Sequence, residues 1–269
     1  MEQVLTDDVS RDYSLMTAPL RELGHMMEQL IRQLLGANGI GFHSVSHRVK
    51  TADSVSRKIE RSSAGREIDS LTDLLGLRII TYFRDDVDHA ARVIEQEFCV
   101  NEANSVDKRA ILDPDRFGYL SMHYIVKLSS GRETLVEYRA YAGIQFEIQI
   151  RSILQHAWAE MEHDLGYKSE AAIPRDIRRS FSRLAGLLEV ADDEFARIRG
   201  NLANFQSTVD ADVRKGQQDI EINQNSLLAF AKSSREYLSL VTVAASCFKL
   251  PAPAPIAREV GYWTNPILG

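Results

Sequence analysis

Cysteine is nearly absent from this chain. Cys99 and Cys247 are the only two in 269 residues, and no Cys-x-x-Cys or paired Cys/His spacing accompanies them. That argues against a disulfide framework or a zinc site and predicts a reducing, cytoplasmic setting. Long hydrophobic runs are also missing. No stretch approaches the ~20 apolar residues that span a bilayer, so no membrane association is expected. The opening MEQVLTDDVS is acidic and has no apolar core, unlike a secretory signal. Positive charge is not in excess: 32 Lys and Arg face 38 Asp and Glu, for a net charge of -6. Any contact with nucleic acid would therefore use a local basic patch. No internal repeat is evident. The HExxH signature of zinc hydrolases is absent too. What remains is ordinary for a globular protein, with 44% hydrophobic and 26% charged residues.

The apolar pattern divides the chain. Leu20, Leu23, Met27, Leu30, Ile31 and Leu34 recur at helical spacing, predicting a helix over 14–35 that Gly36, Asn38, Gly39 and Gly41 end. A short strand over Phe42 to Lys50 follows, then a helix over 52–62 with Asp53 or Ser54 as its N-cap. Leu77 to Phe83 reads as a buried strand, Asp86 to Phe98 as a helix, and Tyr119 to Leu128 and Gln145 to Arg151 as further strands. In the last, Phe146, Ile148 and Ile150 alternate with Glu147, Gln149 and Arg151, so the polar side chains share one face. A helix over Ser152 to about Leu165 comes next. This order predicts an α/β or α+β domain with helices against a mixed sheet. Beyond Pro174 a heptad stripe runs from Ile177 to Val209, interrupted by Gly186 and Gly200 as potential bends. It suits a packed helix and a self-association surface equally. The Pro-rich end is expected to be irregular.

Four segments carry chemistry. Arg48, Lys50, Ser54, Arg57 and Lys58 place four cations and a hydroxyl between a strand and a helix start, as a triphosphate requires. Alone, such a cluster is most often solvated surface. Asp73 lies just ahead of a buried strand, where a carboxylate suits Mg²⁺; the bland alternative is a turn. Gly118-Tyr119 can present a ring for base stacking or simply begin a strand. Glu147, Gln149 and Arg151 on one strand face are expensive to bury and point to a polar cleft. His156, Glu160 and His163 share a helix face, which admits a hydrolase-type metal reading, but helix packing explains them better.

In order, these segments spell RxKxxxSxxxK, DxxGxR, GYxSxH and ExQIR[ST]…WAxxEHxLxYK between about residues 40 and 170. The combination resembles the synthetase domain of RelA/SpoT-type alarmone enzymes, especially the small single-domain members. That resemblance implies a nucleotidyltransferase-like mixed sheet. It also implies Mg²⁺-dependent transfer of pyrophosphate from ATP to the 3′-hydroxyl of GDP or GTP. Arg48 and Arg78 would sandwich the adenine, and Lys50, Ser54 and Lys58 would hold the phosphates. Asp73 and Glu147 would bind the metal, with Glu147 activating the hydroxyl. Tyr119, His123 and Gln149 would line the acceptor side, with Arg151, Glu162 and His163 supporting. The domains expected are a helical segment over 1–40, the synthetase domain over 41–172 and a helical extension over 173–269.

One stretch departs from the family pattern. Where related synthetases carry Asn before the Gly of GYxSxH, and Lys two positions further back, this chain has Phe117 and Asp115. The departure resembles a toxin-type branch whose acceptor is the 3′ end of tRNA. That reading would add tRNA and an antitoxin to the partners, beside a homo-oligomer formed through the C-terminal helices.

Overall fold

Helix α1 spans Glu2–Ala37 and continues through Pro19. An interior proline costs roughly 3 kcal/mol. Against it, Leu23, Met27, Ile31 and Leu35, four residues apart, are fully buried. Each side chain of this size contributes roughly 1.5–3 kcal/mol on burial, so the apolar face outweighs the break. Tyr13, ahead of the proline, is buried and donates from its hydroxyl to the Lys50 carbonyl at 2.5 Å. The helix therefore starts well before the expected residue 14. It ends where Gly39 takes a left-handed φ of 66° and the Ile40 amide reaches back to the Leu35 carbonyl at 3.0 Å. The computed structural model describes residues 2–61, 71–107, 121–167, 174–216 and 220–248.

Five further segments complete the first half of the fold: β1 (Phe42–Val49), α2 (Ala52–Arg61), β2 (Leu75–Thr81), α3 (Arg84–Glu97) and β3 (Phe98–Val100). Then come β4 (Val106–Asp107), β5 (Met122–Leu128), α4 (Ser130–Glu133), β6 (Phe146–Ser152) and α5 (Ile153–Tyr167). The cap of α2 is neither Asp53 nor Ser54. Thr51 precedes the helix and its carbonyl accepts from the Ser54 and Val55 amides. Strand β2 stops at Thr81, short of the expected Phe83, because the Thr81 hydroxyl turns to the Phe83 carbonyl and Phe83, extended, takes the position just ahead of α3 without a side-chain cap. The short β3, β4 and α4 have too few residues for a readable period. Tyr119, Phe117 and Asp115 lie outside the described residues, as does the Pro-rich end.

The sheet order is β1-β2-β6-β5-β3, with β4 beside β5. Among the described strands only β2 and β6 run parallel, so the sheet is mixed. One face carries Leu75, Leu77, Ile79, Phe146, Ile148, Ile150, Tyr124 and Val126 into a core shared with α1 and α3. Gly24 permits the approach of α1 to β1: a Cβ there would lie 2.5 Å from the His47 ring. That ring is held by Glu28 at 2.7 Å. The other face is largely polar, with Ile80 and Ile125 buried among its polar side chains.

Helix α6 (Arg175–Arg214) runs unbroken through Gly186 and Gly200, so neither glycine ends it. Contacts divide the chain inside this helix, between Asp193 and Glu194, beyond the expected start of the extension at 173. In the first unit, Ala185 is buried and Leu188 half-buried against Trp158 of α5, and Asp192 accepts from the Ser152 hydroxyl at 2.5 Å. Leu184, from the heptad stripe, stays exposed. The second unit contains the rest of α6 with α7 (Gln224–Ser233) and α8 (Arg235–Cys247). There Val209 is buried while Phe195, Ile198, Leu202 and Phe205 are about half exposed. No helix among the described residues is long and apolar enough to cross a membrane.

Candidate active site

Strand alternation builds the polar face. Arg48 pairs with Gly76, and Gly76 with Glu147; one step along, Ser46 pairs with Arg78, Arg78 with Gln149, and Gln149 with His123. Four strands thus present Arg48, Arg78, Glu147, Gln149 and His123 together, and Arg151 extends the row on β6. Gly76 contributes no side chain between Arg48 and Glu147. A Cβ added there would meet nothing nearer than the Arg48 carbonyl at 3.9 Å. Among the described residues the gap is otherwise open on the site face.

Two groups of contacts organise this face. In the first, Oδ2 of Asp73 accepts from Lys50 and, at 2.5 Å, from Lys58. Oδ1 of the same carboxylate is buried with no hydrogen-bond partner among the described residues. Burial pushes the Asp73 carboxyl up, but the two lysines outweigh it and hold it below the usual carboxylate range. Lys50 is itself held below the usual lysine range, because burial and the neighbouring Lys58 charge outweigh the pull of Asp73. The pair is thus unequal: the carboxylate gains from the contact and the ammonium is taxed by its surroundings. Ser54, at the start of α2, shares a hydrogen bond with Thr51 at 2.8 Å.

In the second group, Nδ1 of His123 lies 2.6 Å from Oε1 of Glu147, and Gln149 donates to Oε2 at 2.9 Å. Arg151 donates to Gln149 at 3.0 Å, and the Ser121 hydroxyl lies 2.6 Å from Nε2 of His123. Burial and the nearby charge of Asp73 push Glu147 up. The hydrogen bonds from His123 and Gln149 prevail and hold it below its usual range. Burial and the Arg78 charge hold Arg151 below the usual arginine value.

Beside these groups, Arg78 donates to Glu160 of α5 at 2.8 Å. Glu160 is 3.6 Å from His156, so this carboxylate serves a cation of the sheet. Among the described residues no cluster of three His, Cys, Asp or Glu side chains could hold a metal ion. The helix-face alternative of His156, Glu160 and His163 has no support in this geometry. Glu162 and His163 are exposed residues further along α5.

Glu160 and Ser121 join the site although the sequence alone did not mark either as a site residue. Glu160 had a signal in its helix-face spacing, but its partner is 82 positions away. Ser121 sits within GYxSxH, yet a serine two residues from a histidine has no evident role until the strand aligns them.

Residues 47–172 match the family model described as a region found in RelA / SpoT proteins. The GTP pyrophosphokinase YjbM of Bacillus subtilis (strain 168) is 32% identical over 170 residues, spanning 61% of this chain and 74% of that protein. The crystal structure of small alarmone synthetase 1 from Bacillus subtilis superposes with a TM-score of 0.59 at 26% identity, covering 72% of this chain and 98% of the other. The same synthetase bound to its product pppGpp gives a TM-score of 0.57 at 26% identity, covering 72% and 99%. The matched segment carries both groups of contacts, and this chain belongs to the RelA/SpoT small alarmone synthetase family.

Proposed function

We propose that the chain transfers the β,γ-pyrophosphoryl group of ATP to the ribose 3′-hydroxyl of GDP or GTP, yielding AMP and a (p)ppGpp-type alarmone. Family membership supports the reaction class. A relative is named a GTP pyrophosphokinase, and a synthetase of the same fold holds pppGpp as its product. The observation that carries the reading is the different company of two neighbouring carboxylates. Asp73 is held by two ammonium groups, and Glu147 by the side chains of His123 and Gln149.

Mg²⁺ fits the residues present. Oδ1 of Asp73 is buried and unpaired among the described residues, Glu147 is close enough for the two charges to interact, and Mg²⁺ is commonly bound by one or two carboxylates plus phosphate oxygens. Bound there, the ion supplies charge neutralisation to the phosphates. In this reading Lys50, Lys58 and Ser54 turn to the phosphate oxygens, releasing Oδ2 of Asp73. Arg48 and Arg78 flank the adenine, with Glu160 anchoring Arg78. His123 and Gln149 orient the acceptor, Tyr119 stacks on its base, and Arg151, Glu162 and His163 support the cleft.

Glu147 accepts the 3′-hydroxyl proton as the 3′ oxygen bonds to the β-phosphorus. The bond from that phosphorus to the α-phosphate oxygen breaks, and AMP departs. A carboxylate held below its usual range is a weak base, but phosphoryl-type transfer through a loose transition state depends mainly on positioning and charge. The test is release of AMP from ATP with Mg²⁺ in separate arms containing GDP, GTP, ADP and deacylated tRNA. A 3′-pyrophosphorylated guanosine nucleotide is expected. Product only in the tRNA arm would favour the acceptor suggested by Phe117, and no product in any arm would remove the reading.

A further inference from the structure

We infer that Ser121 is a positioning residue for this reaction: its hydroxyl fixes the His123 ring so that Nδ1–H points at Glu147. The geometry is a chain of four side chains converging on one carboxylate. From one side Arg151 donates to Gln149, which donates to Oε2 of Glu147. From the other, Ser121 lies 2.6 Å from Nε2 of His123, and Nδ1 lies 2.6 Å from Oε1.

A carboxylate only accepts hydrogen bonds, so Nδ1 must carry the proton. In the neutral ring Nε2 is then an acceptor, and the Ser121 hydroxyl is the donor that satisfies it. Ser121 is 5% exposed, so little water reaches this hydroxyl to compete. Without the hydroxyl the ring is held only through Nδ1 and can turn away from Oε1, and once it has turned the Nε2–H tautomer becomes competitive. In that tautomer Nδ1 carries a lone pair, which repels Oε1, so the ring does not return. Glu147 then loses one of the two donors that set its direction. Partners of this kind, one step behind a functional group, typically carry about 10–100-fold of affinity or activity.

The kinetic half of the test rests on the pyrophosphate-transfer reading; the spectroscopic half does not. Long-range ¹⁵N–¹H spectra of the histidine rings at pH 8, with His123 assigned by its loss in His123→Gln, report the tautomer directly. The wild type should show His123 as Nδ1–H, Ser121→Ala a mixed or Nε2–H ring, and Ser121→Thr the wild-type form. In parallel, Ser121→Ala should lower kcat about tenfold with the KM for ATP within twofold, and Ser121→Thr should recover most of kcat. A wild-type ring in any other form, or a Ser121→Ala ring unchanged from wild type, overturns the inference. So does a kcat within twofold of wild type in folded Ser121→Ala. Absence of turnover in the wild type would sink the functional reading and leave the tautomer result to decide this one.

Discussion

Lys58 Nζ lies 2.5 Å from Oδ2 of Asp73, the same oxygen that Lys50 holds, while Oδ1 is buried without a partner among the described residues. The two lysines expected to meet ATP thus hold the carboxylate expected to meet the metal. Binding of a metal–nucleotide pair would exchange these partners rather than leave a charge unpaired. Asp73→Asn and Glu147→Gln should each keep the fold by circular dichroism and lower turnover by about 100-fold or more, the lower range for losing a group that handles a proton or a metal. Near-normal turnover by either folded variant would overturn the assignment.

The two carboxylates also set a pH dependence. Both are held below their usual range in the folded chain. Their contribution to stability is therefore complete above the unfolded values near ~4 and is lost as pH falls through the lower folded values. The melting temperature should decline on acidification in that window. In the double variant Asp73→Asn with Glu147→Gln the decline should be shallower. An identical slope in wild type and double variant would show that other groups govern acid stability.

Gly76 sits between Arg48 and Glu147, and a Cβ there would have only ordinary contact at 3.9 Å. Gly76→Val should then leave the melting temperature nearly unchanged, since a β-branched residue suits a strand. The same side chain would occupy the opening on the site face. ATP affinity, read by titration calorimetry, should fall about tenfold as the added side chain displaces the nucleotide beside Arg48, roughly 1.4 kcal/mol. Unchanged affinity would mean that the nucleotide does not cross this point.

The first part of α6 docks on the sheet unit through a buried contact. Asp192 is 1% exposed and accepts from Ser152, the last residue of β6. Asp192→Ala leaves that hydroxyl short of its acceptor and should cost about 1–3 kcal/mol, read as a lower denaturant midpoint. Ser152→Ala combined with Asp192→Ala should be milder than the sum, because the two side chains share one bond. Additive losses would show that each acts through other contacts.

Local pattern was legible where it was repeated or strictly periodic. The alternation of β6 placed Glu147, Gln149 and Arg151 on one face correctly, and the spacing of Leu23, Met27 and Ile31 marked α1. The order of motifs carried the family, because chemistry-bearing residues kept their spacing along the chain. Side-chain partnerships were not legible in this way. Nothing near Arg78 in sequence announces Glu160, and nothing near Asp73 announces that Lys50 and Lys58 share one of its oxygens. Period and turn chemistry act within a few residues, so the sequence alone determined the longer helices and strands, the polar strand face and the family. Which cation meets which carboxylate, where α6 docks, and how Ser121 reaches Glu147 through His123 depend on the register of strands distant in the chain. Only the tertiary structure decided those, because a hydrogen bond requires a separation near 3 Å whatever the distance along the sequence.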